Sequence, residues 1–327
     1  MNYEIIATLG PGSESESMWK EMISAGVTAF RLNTSHLSLE RLRDWMGRIS
    51  RFYEEIGASL PVVLDLQGSK WRVGDFTAFE LAPGQPVELF LAGTSSRAGT
   101  LPVPHADFFH AAGVSSSMIL LNDAKIRLEV QSISEKGLTA RVIQGGKISG
   151  HKGITFQASE YRVETISEKD RAILEQTGQQ PDVRYAISYV RDALEMSRYR
   201  RLFGPAAYLI AKLERGPAMD DAVDICRSAN EVWVCRGDLG AELGLPGMAR
   251  AVARFSIQAR DLGAPALMAG QVLEHMTQAV YPTRSEVCYL YEALVQGYRG
   301  FVLSDEVAIG QYPIESCRAA AMFREGK

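Results

Sequence analysis

The sequence predicts an α/β fold: a (β/α)₈ barrel with a small β-domain inserted after its third strand. Three observations predict it. Short apolar runs alternate with segments of helical period at both ends of the chain. One long helix-poor stretch interrupts that alternation, and the apolar runs repeatedly finish in charged or polar residues. The runs number about eight, the count for a closed barrel whose chemistry sits at the strand C-termini. A doubly wound open sheet is the alternative topology, but no glycine-rich dinucleotide loop accompanies it.

Residues 4–9 form an apolar strand closed by Gly10 and Pro11. Residues 13–25 read as a helix with Met18, Trp19, Met22 and Ile23 on one face and Gly26 as its stop. Residues 27–36 are a second strand, ending in the polar groups Asn33, Thr34, Ser35 and His36. Residues 37–56 are helical by period, and 60–65 are a third strand ending at Asp65. From about residue 74 to 156 the helical period is lost and Gly, Ser and Pro accumulate. Short alternating strands remain at 86–91, 117–121, 126–131 and 138–143, with turns at Gly137 and Gly145–Gly146. The predicted organisation is therefore a barrel over 1–73 and 158–327 and a β lid domain over 74–157.

Strand–helix alternation resumes at Ser167, which opens a helix as an N-terminal cap. A strand at 183–189 and a helix at 192–203 follow. Strand ends at 209–214 and 232–240 then flank a segment, 216–230, with apolar residues at helical spacing, which makes a right-handed crossover. That crossover sets Glu214 and Asp238, about 24 residues apart, at neighbouring strand ends beside Lys212 and Arg236. Two carboxylates among cations suit a hard divalent metal and an anionic substrate. The other reading is a salt-bridged rim without a ligand, an arrangement that is costly to hold together. A helix at 248–262, a strand at 265–271, a helix at 283–297, a strand at 300–304 and a helix at 312–325 complete the chain.

Composition excludes several classes. Of 327 residues 46% are hydrophobic and 23% charged, which is ordinary for a globular protein, and a net charge of −4 offers no broad nucleic-acid surface. No apolar run approaches a membrane span, and the N-terminus is not a signal peptide. The four cysteines are scattered without metal-finger or redox spacing. A reduced, cytoplasmic setting is expected.

Several segments occur in a recognisable order: Arg31-Leu-Asn-Thr-Ser-His36, Lys212-Leu-Glu214, Arg236-Gly-Asp-Leu-Gly240, Pro282-Thr-Arg284 with Glu286, and Gly310 with Tyr312-Pro313. In order and spacing they resemble the pyruvate kinase family over essentially the whole chain. Residues 64–72 are a degraded form of another family segment. Gln144-Gly-Gly146 and His151-Lys-Gly153 are similar to the end of the family's lid domain. The resemblance implies a phosphotransferase acting between phosphoenolpyruvate, or a related enol phosphate, and ADP or ATP. It implies Glu214 and Asp238 as ligands of Mg²⁺ (or Mn²⁺), and Lys212, Arg31 and Arg72 as the cations around the phosphoryl group. Gly237 and the amides after it would hold the substrate carboxylate, in a pocket that also includes Gly270 and Gln271. Asn33, Ser35 and Asp65 match a monovalent-cation site. Pro11, His36, Asp123 and Lys152 resemble nucleotide contacts. Each has a plainer reading: Arg31 and Arg72 as rim ion pairs, His36 as a loop histidine, Asn33 and Ser35 as helix caps, Pro11 as a strand breaker, Asp123 and Lys152 as solvated charge.

Four departures from the family pattern shape the expectations. Gly270 stands where the family places a threonine that helps protonate enolpyruvate, so ketonisation would be slowed or rerouted through water or Ser304, and the pocket is wider. Lys70 replaces a glutamate, a change that goes with independence from K⁺. Asp305 and Ile309 replace a glycine and a lysine. The chain ends at Lys327, where the family continues into an effector domain, so an unregulated monomer or homodimer is expected rather than a tetramer. A metal-dependent 2-oxo-acid lyase, aldolase or decarboxylase working through a pyruvate enolate is the rival activity. A non-catalytic regulator derived from the enzyme is the third reading.

Overall fold

The computed structural model describes every residue except 69–70, 113–116, 123–124, 135–136, 158–165 and 326–327, with His36 described by its backbone only. The chain divides into two compact units. One comprises Met1–Gly68, Ile166–Arg236 and Ala249–Lys327; the other comprises Ser69–Thr165 and Gly237–Met248.

The first unit contains a closed barrel of eight parallel strands. They are β1 (Glu4–Thr8), β2 (Ala29–Asn33), β3 (Val62–Leu66), β4 (Val183–Ile187), β5 (Tyr208–Leu213), β6 (Glu231–Cys235), β7 (Ala266–Ala269) and β8 (Gly300–Leu303). Sequential strands are neighbours all the way round, and β8 closes on β1 with Ile5 opposite Phe301. The predicted barrel is thus the observed one. Its interior is filled by Ile6, Ala29, Val63, Ala186, Ile210, Trp233, Leu267, Ala269 and Val302, with the single large indole of Trp233 set against alanines. A core built by pairing bulky and small side chains packs without voids.

Local sequence explains the helix ends. Gly26, Gly57 and Gly297 close their helices in the left-handed conformation, while Ser38, Ser167, Asp192 and Thr283 accept a first-turn amide as N-caps. Thr283 and Glu286 complete a capping box. Three expectations are corrected. The segment between β5 and β6 is two short helices, Gly216–Asp220 and Ala222–Ile225, because Asp221 leaves helical geometry between them. The helix expected from residue 248 begins at Arg236 and runs to Gln258, interrupted where Gly244 takes a φ of 68°. The closing helix is shorter than predicted, Pro313–Ala320.

In the second unit a six-stranded sheet, with Met118–Leu121, Ile126–Ser134 and Gly137–Gln144 at its centre, packs over a core containing Trp71, Phe108 and Phe156. Phe108 stacks on Phe156 at 4.7 Å and meets Trp71 edge-on at 5.3 Å. Phe108 belongs to a helix, Ala106–Ala112, inside a stretch read as helix-free. Seven residues are too few for a period to declare itself, and the buried ring holds the turn in place.

The N-terminal end of the barrel carries a buried acid. Glu231 accepts from Trp233 Nε1 at 2.5 Å and Tyr208 OH at 3.0 Å, and lies 3.6 Å from Arg184, which also pairs with Glu4. Burial, with the nearby Glu4 charge adding to it, pushes the Glu231 carboxyl up from 4.5 to about 7. A carboxyl raised in the folded state stabilises fully below the unfolded value and loses that contribution as pH rises through the folded one. Stability is therefore expected to fall between about pH 4.5 and 7. Glu231→Gln should remove about 2–3 kcal/mol of that fall, seen as a flatter plot of urea midpoint against pH; an unchanged plot would refute the assignment.

Candidate active site

Four of the predicted residues converge where β2, β3 and β5 reach the C-terminal rim. Each comes from the polar end of an apolar strand, so the same alternation that fills the barrel aims these side chains at its mouth. Lys212 Nζ lies 3.0 Å from Asp65 Oδ1, 2.9 Å from Glu214 Oε1 and 2.8 Å from Ser188 Oγ. Arg31 grips the other oxygen of Asp65 through Nε at 2.9 Å and Nη2 at 2.5 Å, and donates to Thr8 Oγ1 at 2.7 Å. Lys212, Asp65 and Glu214 are all buried.

The charges are strongly coupled. Burial alone would raise the Asp65 carboxyl, but the Lys212 and Arg31 cations outweigh it and hold it below the ordinary aspartate value. Burial alone would lower the Lys212 ammonium, but Asp65 and Glu214 outweigh that and hold it above the ordinary lysine value. Lys212 is accordingly a fixed positive charge, not a base. Glu214 is oriented from its other side as well: Oε2 accepts the Tyr189 amide at 2.7 Å. Tyr189 has a φ of 62°, rare for an aromatic residue, and the Arg215 guanidinium lies 4.8 Å from its ring. Strain of this kind costs about 1–3 kcal/mol and gathers at functional sites.

A second cluster lies at the ends of β6, β7 and β8. Gly270 and Gln271 are both left-handed, with φ of 80° and 53°. Arg236 donates to the Gly270 carbonyl through Nε at 3.0 Å and Nη2 at 2.7 Å, and to the Gln271 carbonyl at 2.8 Å. The Ser304 amide meets Glu306 Oε2 at 3.0 Å, and the Leu273 amide meets Glu306 Oε1 at 3.3 Å. Burial pushes the Glu306 carboxyl up to about 7.

The barrel-domain model of pyruvate kinase matches residues 1–317. The chain belongs to the pyruvate kinase family. It is 34% identical to a pyruvate kinase of Agrobacterium vitis over 321 residues, covering 96% of this chain and 65% of that protein. A pyruvate kinase of Methylorubrum extorquens is 33% identical over 318 residues, with 96% and 66% covered, and one of Aeropyrum pernix is 31% identical over 317, with 96% and 68% covered. The chain thus spans about two thirds of the length of these pyruvate kinases.

The remaining residues singled out from the pyruvate kinase resemblance fall as follows. Asn33 Oδ1 accepts the Ser35 amide at 3.2 Å, the plainer capping role. Pro11 opens a 3-10 turn; a Cβ on Gly10 before it would clash with the Ala308 carbonyl, and one on Gly12 within it would crowd Ile309 and Gly310. His36 ends the turn Thr34–His36. Gly237 and Asp238 stand in the first turn of the helix Arg236–Gln258 and belong to the second unit, as do Arg72 and Lys152. There Arg72 donates to the His151 carbonyl at 2.9 Å, and the Lys152 carbonyl accepts the Val73 amide. Lys70 and Asp123 lie outside the described residues.

Sequence reasoning passed over four residues of these clusters. Ser188 bridges Lys212 to Asp65 and donates to the Leu66 carbonyl at 2.7 Å; Thr8 links Arg31 to the Leu303 carbonyl. Asp170, nearly fully buried, accepts the amides of Gln67 and Gly68, each at 3.1 Å, and Glu306 binds two rim amides. Thr8 and Ser188 had a visible signal, since each is polar at the end of an apolar strand. Asp170 and Glu306 had none beyond their helix-start positions.

Proposed function

We propose that this chain is a Mg²⁺-dependent phosphotransferase that moves a phosphoryl group between phosphoenolpyruvate, or a related enol phosphate, and ADP or ATP, in the cytoplasm. The observation that carries the proposal is the Lys212 ammonium, held by Asp65, Glu214 and Ser188 beside Arg31. Phosphoryl transfer asks the protein chiefly for positioned positive charge, and a lysine kept charged in a buried rim supplies it. Arg72 would add to that charge, and the lid domain (74–157), with Pro11, His36, Asp123 and Lys152, would serve the nucleotide. Among the described residues no group of three or more His, Cys, Asp or Glu forms a metal cage. Mg²⁺ does not need one: one or two carboxylates plus substrate oxygens are its usual set. Glu214 would supply one such carboxylate and Asp238 the other. When bound, the ion would neutralise charge on the enolate and the phosphoryl group.

Independence from K⁺ also belongs to the proposal. Asp65 Oδ2 is taken by Arg31, Asp65 Oδ1 by Lys212 and Ser188, the Leu66 carbonyl by Ser188, and the Thr34 carbonyl by Lys169 at 2.6 Å. Lys212 and Arg31 already bring two positive charges to Asp65, so a monovalent cation there would gain little. Gly237, Gly270 and Gln271 would shape the substrate pocket, with Ser304 on the proton path. Gly270, which offers no hydroxyl, favours one rival, enolate carbon chemistry.

³¹P NMR of the protein with Mg²⁺, ADP and phosphoenolpyruvate is expected to show ATP forming at rates unaffected by K⁺. No ATP, together with Mg²⁺-dependent exchange of pyruvate methyl protons in the absence of nucleotide, would replace this reading with the lyase one.

A further inference from the structure

Two consecutive residues at the end of β5, Glu214 and Arg215, face opposite ways. Ile210 points into the barrel core, and the period of two carried past it sends Lys212 and Glu214 to the mouth and Leu213 and Arg215 to the outer side. Arg215 is extended, with φ of −132° and ψ of 152°, and only 2% exposed. A guanidinium buried outside the barrel wall is costly unless other groups meet it. Two groups do. Glu195, on the helix Ala193–Phe203, is also buried; burial raises its carboxyl, and the Arg191 amide and the Arg215 charge oppose that rise. The Tyr189 ring is the other, centred 4.8 Å from the guanidinium carbon.

Through Tyr189 this outer contact reaches the site. Its φ of 62° is a conformation that an aromatic residue adopts only where its surroundings impose it. The segment after β4 is pinned on both sides of Tyr189. Ser188 Oγ donates to the Leu66 carbonyl at 2.7 Å, Glu195 Oε2 accepts the Arg191 amide at 2.7 Å, and Asp221 Oδ2 accepts the Ala193 amide at 2.6 Å. With its flanks fixed, the place of the ring sets the rotation of the residue between them. Held outward against Arg215, the ring leaves the Tyr189 amide turned inward, where it donates to Glu214 Oε2 at 2.7 Å while Lys212 Nζ lies 2.9 Å from Oε1.

We propose that Arg215 is a positioning residue for Glu214: through the Tyr189 ring it aims the amide that orients this carboxylate for a divalent cation. This deepens the phosphotransferase reading and rests on it for the metal. A buried ion pair such as Arg215 with Glu195 is seldom kept for stability alone, since apolar side chains of like volume pack as well. Here the cation also holds a strained residue whose amide serves the active site. Groups that orient a metal ligand in this way typically change metal affinity about 10–100-fold when they are removed.

The test is a Mn²⁺ titration of the full-length protein, read from the electron paramagnetic resonance of the free ion, with amide hydrogen exchange followed by NMR on the same proteins without metal. Arg215→Met, which keeps the length and removes the charge, should raise the Mn²⁺ Kd about tenfold, or about 1.4 kcal/mol. Exchange at the Tyr189 amide should quicken by about tenfold or more, while exchange at Ala193, held by Asp221, stays as it is. Arg215→Lys, which keeps a cation beside the ring, should restore most of the affinity. Tyr189→Gly removes the ring, leaves every charge in place and takes the left-handed conformation without strain. It should raise the Kd as Arg215→Met does, and the two changes together should cost no more than either alone. A folded Arg215→Met protein with unchanged Mn²⁺ Kd would overturn the proposal, as would equal quickening at Tyr189 and Ala193. If Arg215→Met does not fold, an unchanged Kd in Tyr189→Gly has the same force. Wild-type protein that binds no Mn²⁺ would overturn the metal reading itself, so the two failures are seen separately.

Discussion

Lys212→Ala is expected to lower turnover by about a thousandfold or more and to destabilise the fold by about 3–5 kcal/mol. The two effects share a cause. Lys212 is the common partner of Asp65 and Glu214, and both are buried. Removing it leaves two carboxylates out of water without their shared cation, with Arg31 still on Asp65 and the Tyr189 amide still on Glu214. Their pKa values should rise, so the variant should be least stable at neutral and alkaline pH and recover part of the loss on acidification. Lys212→Arg should not rescue turnover, because a planar fork cannot occupy the point at which three acceptors lie within 3.0 Å of Nζ. Rates of ATP formation and urea midpoints at several pH values check this. A variant within tenfold of wild-type turnover would show that the ammonium is a structural ion pair and remove the main support for phosphoryl transfer.

The parts legible in the sequence were those written in local chemistry. Strand–helix alternation gave the barrel because each barrel strand is an apolar run of four to six residues, and several of the helices between them are capped or glycine-stopped. Arg31, Asp65, Lys212 and Glu214 could be singled out because a charge at the end of an apolar strand has a cost that function can justify. What escaped was set by distance in the chain. Ser188 acts on Asp65 from 123 residues away, and Thr8 on Leu303 from 295 away. Their place at the end of an apolar strand marks such hydroxyls, but nothing local names the distant groups they hold. The left-handed turn at Gln271 and the strained Tyr189 were equally hidden, since neither residue type prefers that conformation and tertiary contacts hold both there.

Gly68→Ala shows how closely the site depends on backbone fit at the end of β3. Gly68 has a φ of 63°, and a Cβ there would lie 2.2 Å from the Ser188 carbonyl oxygen and 3.0 Å from Ser188 Cβ. The backbone cannot simply retreat, because Asp170 holds the amides of both Gln67 and Gly68. The methyl group would therefore push Ser188 away from Leu66, Asp65 and Lys212, the contacts that tie the end of β4 to its neighbours β3 and β5 at the rim. The expected cost is about 2–4 kcal/mol, combining left-handed strain with overpacking, together with a loss of turnover of at least about tenfold from the displaced Lys212. Gly57→Ala is the matched control. Gly57 has nearly the same φ, 62°, but an added methyl group would meet nothing within 4 Å, so this variant should lose only about 1 kcal/mol and keep full turnover. Equal losses of stability in the two variants, or full activity in Gly68→Ala, would mean that Ser188 is not what holds Lys212 in place.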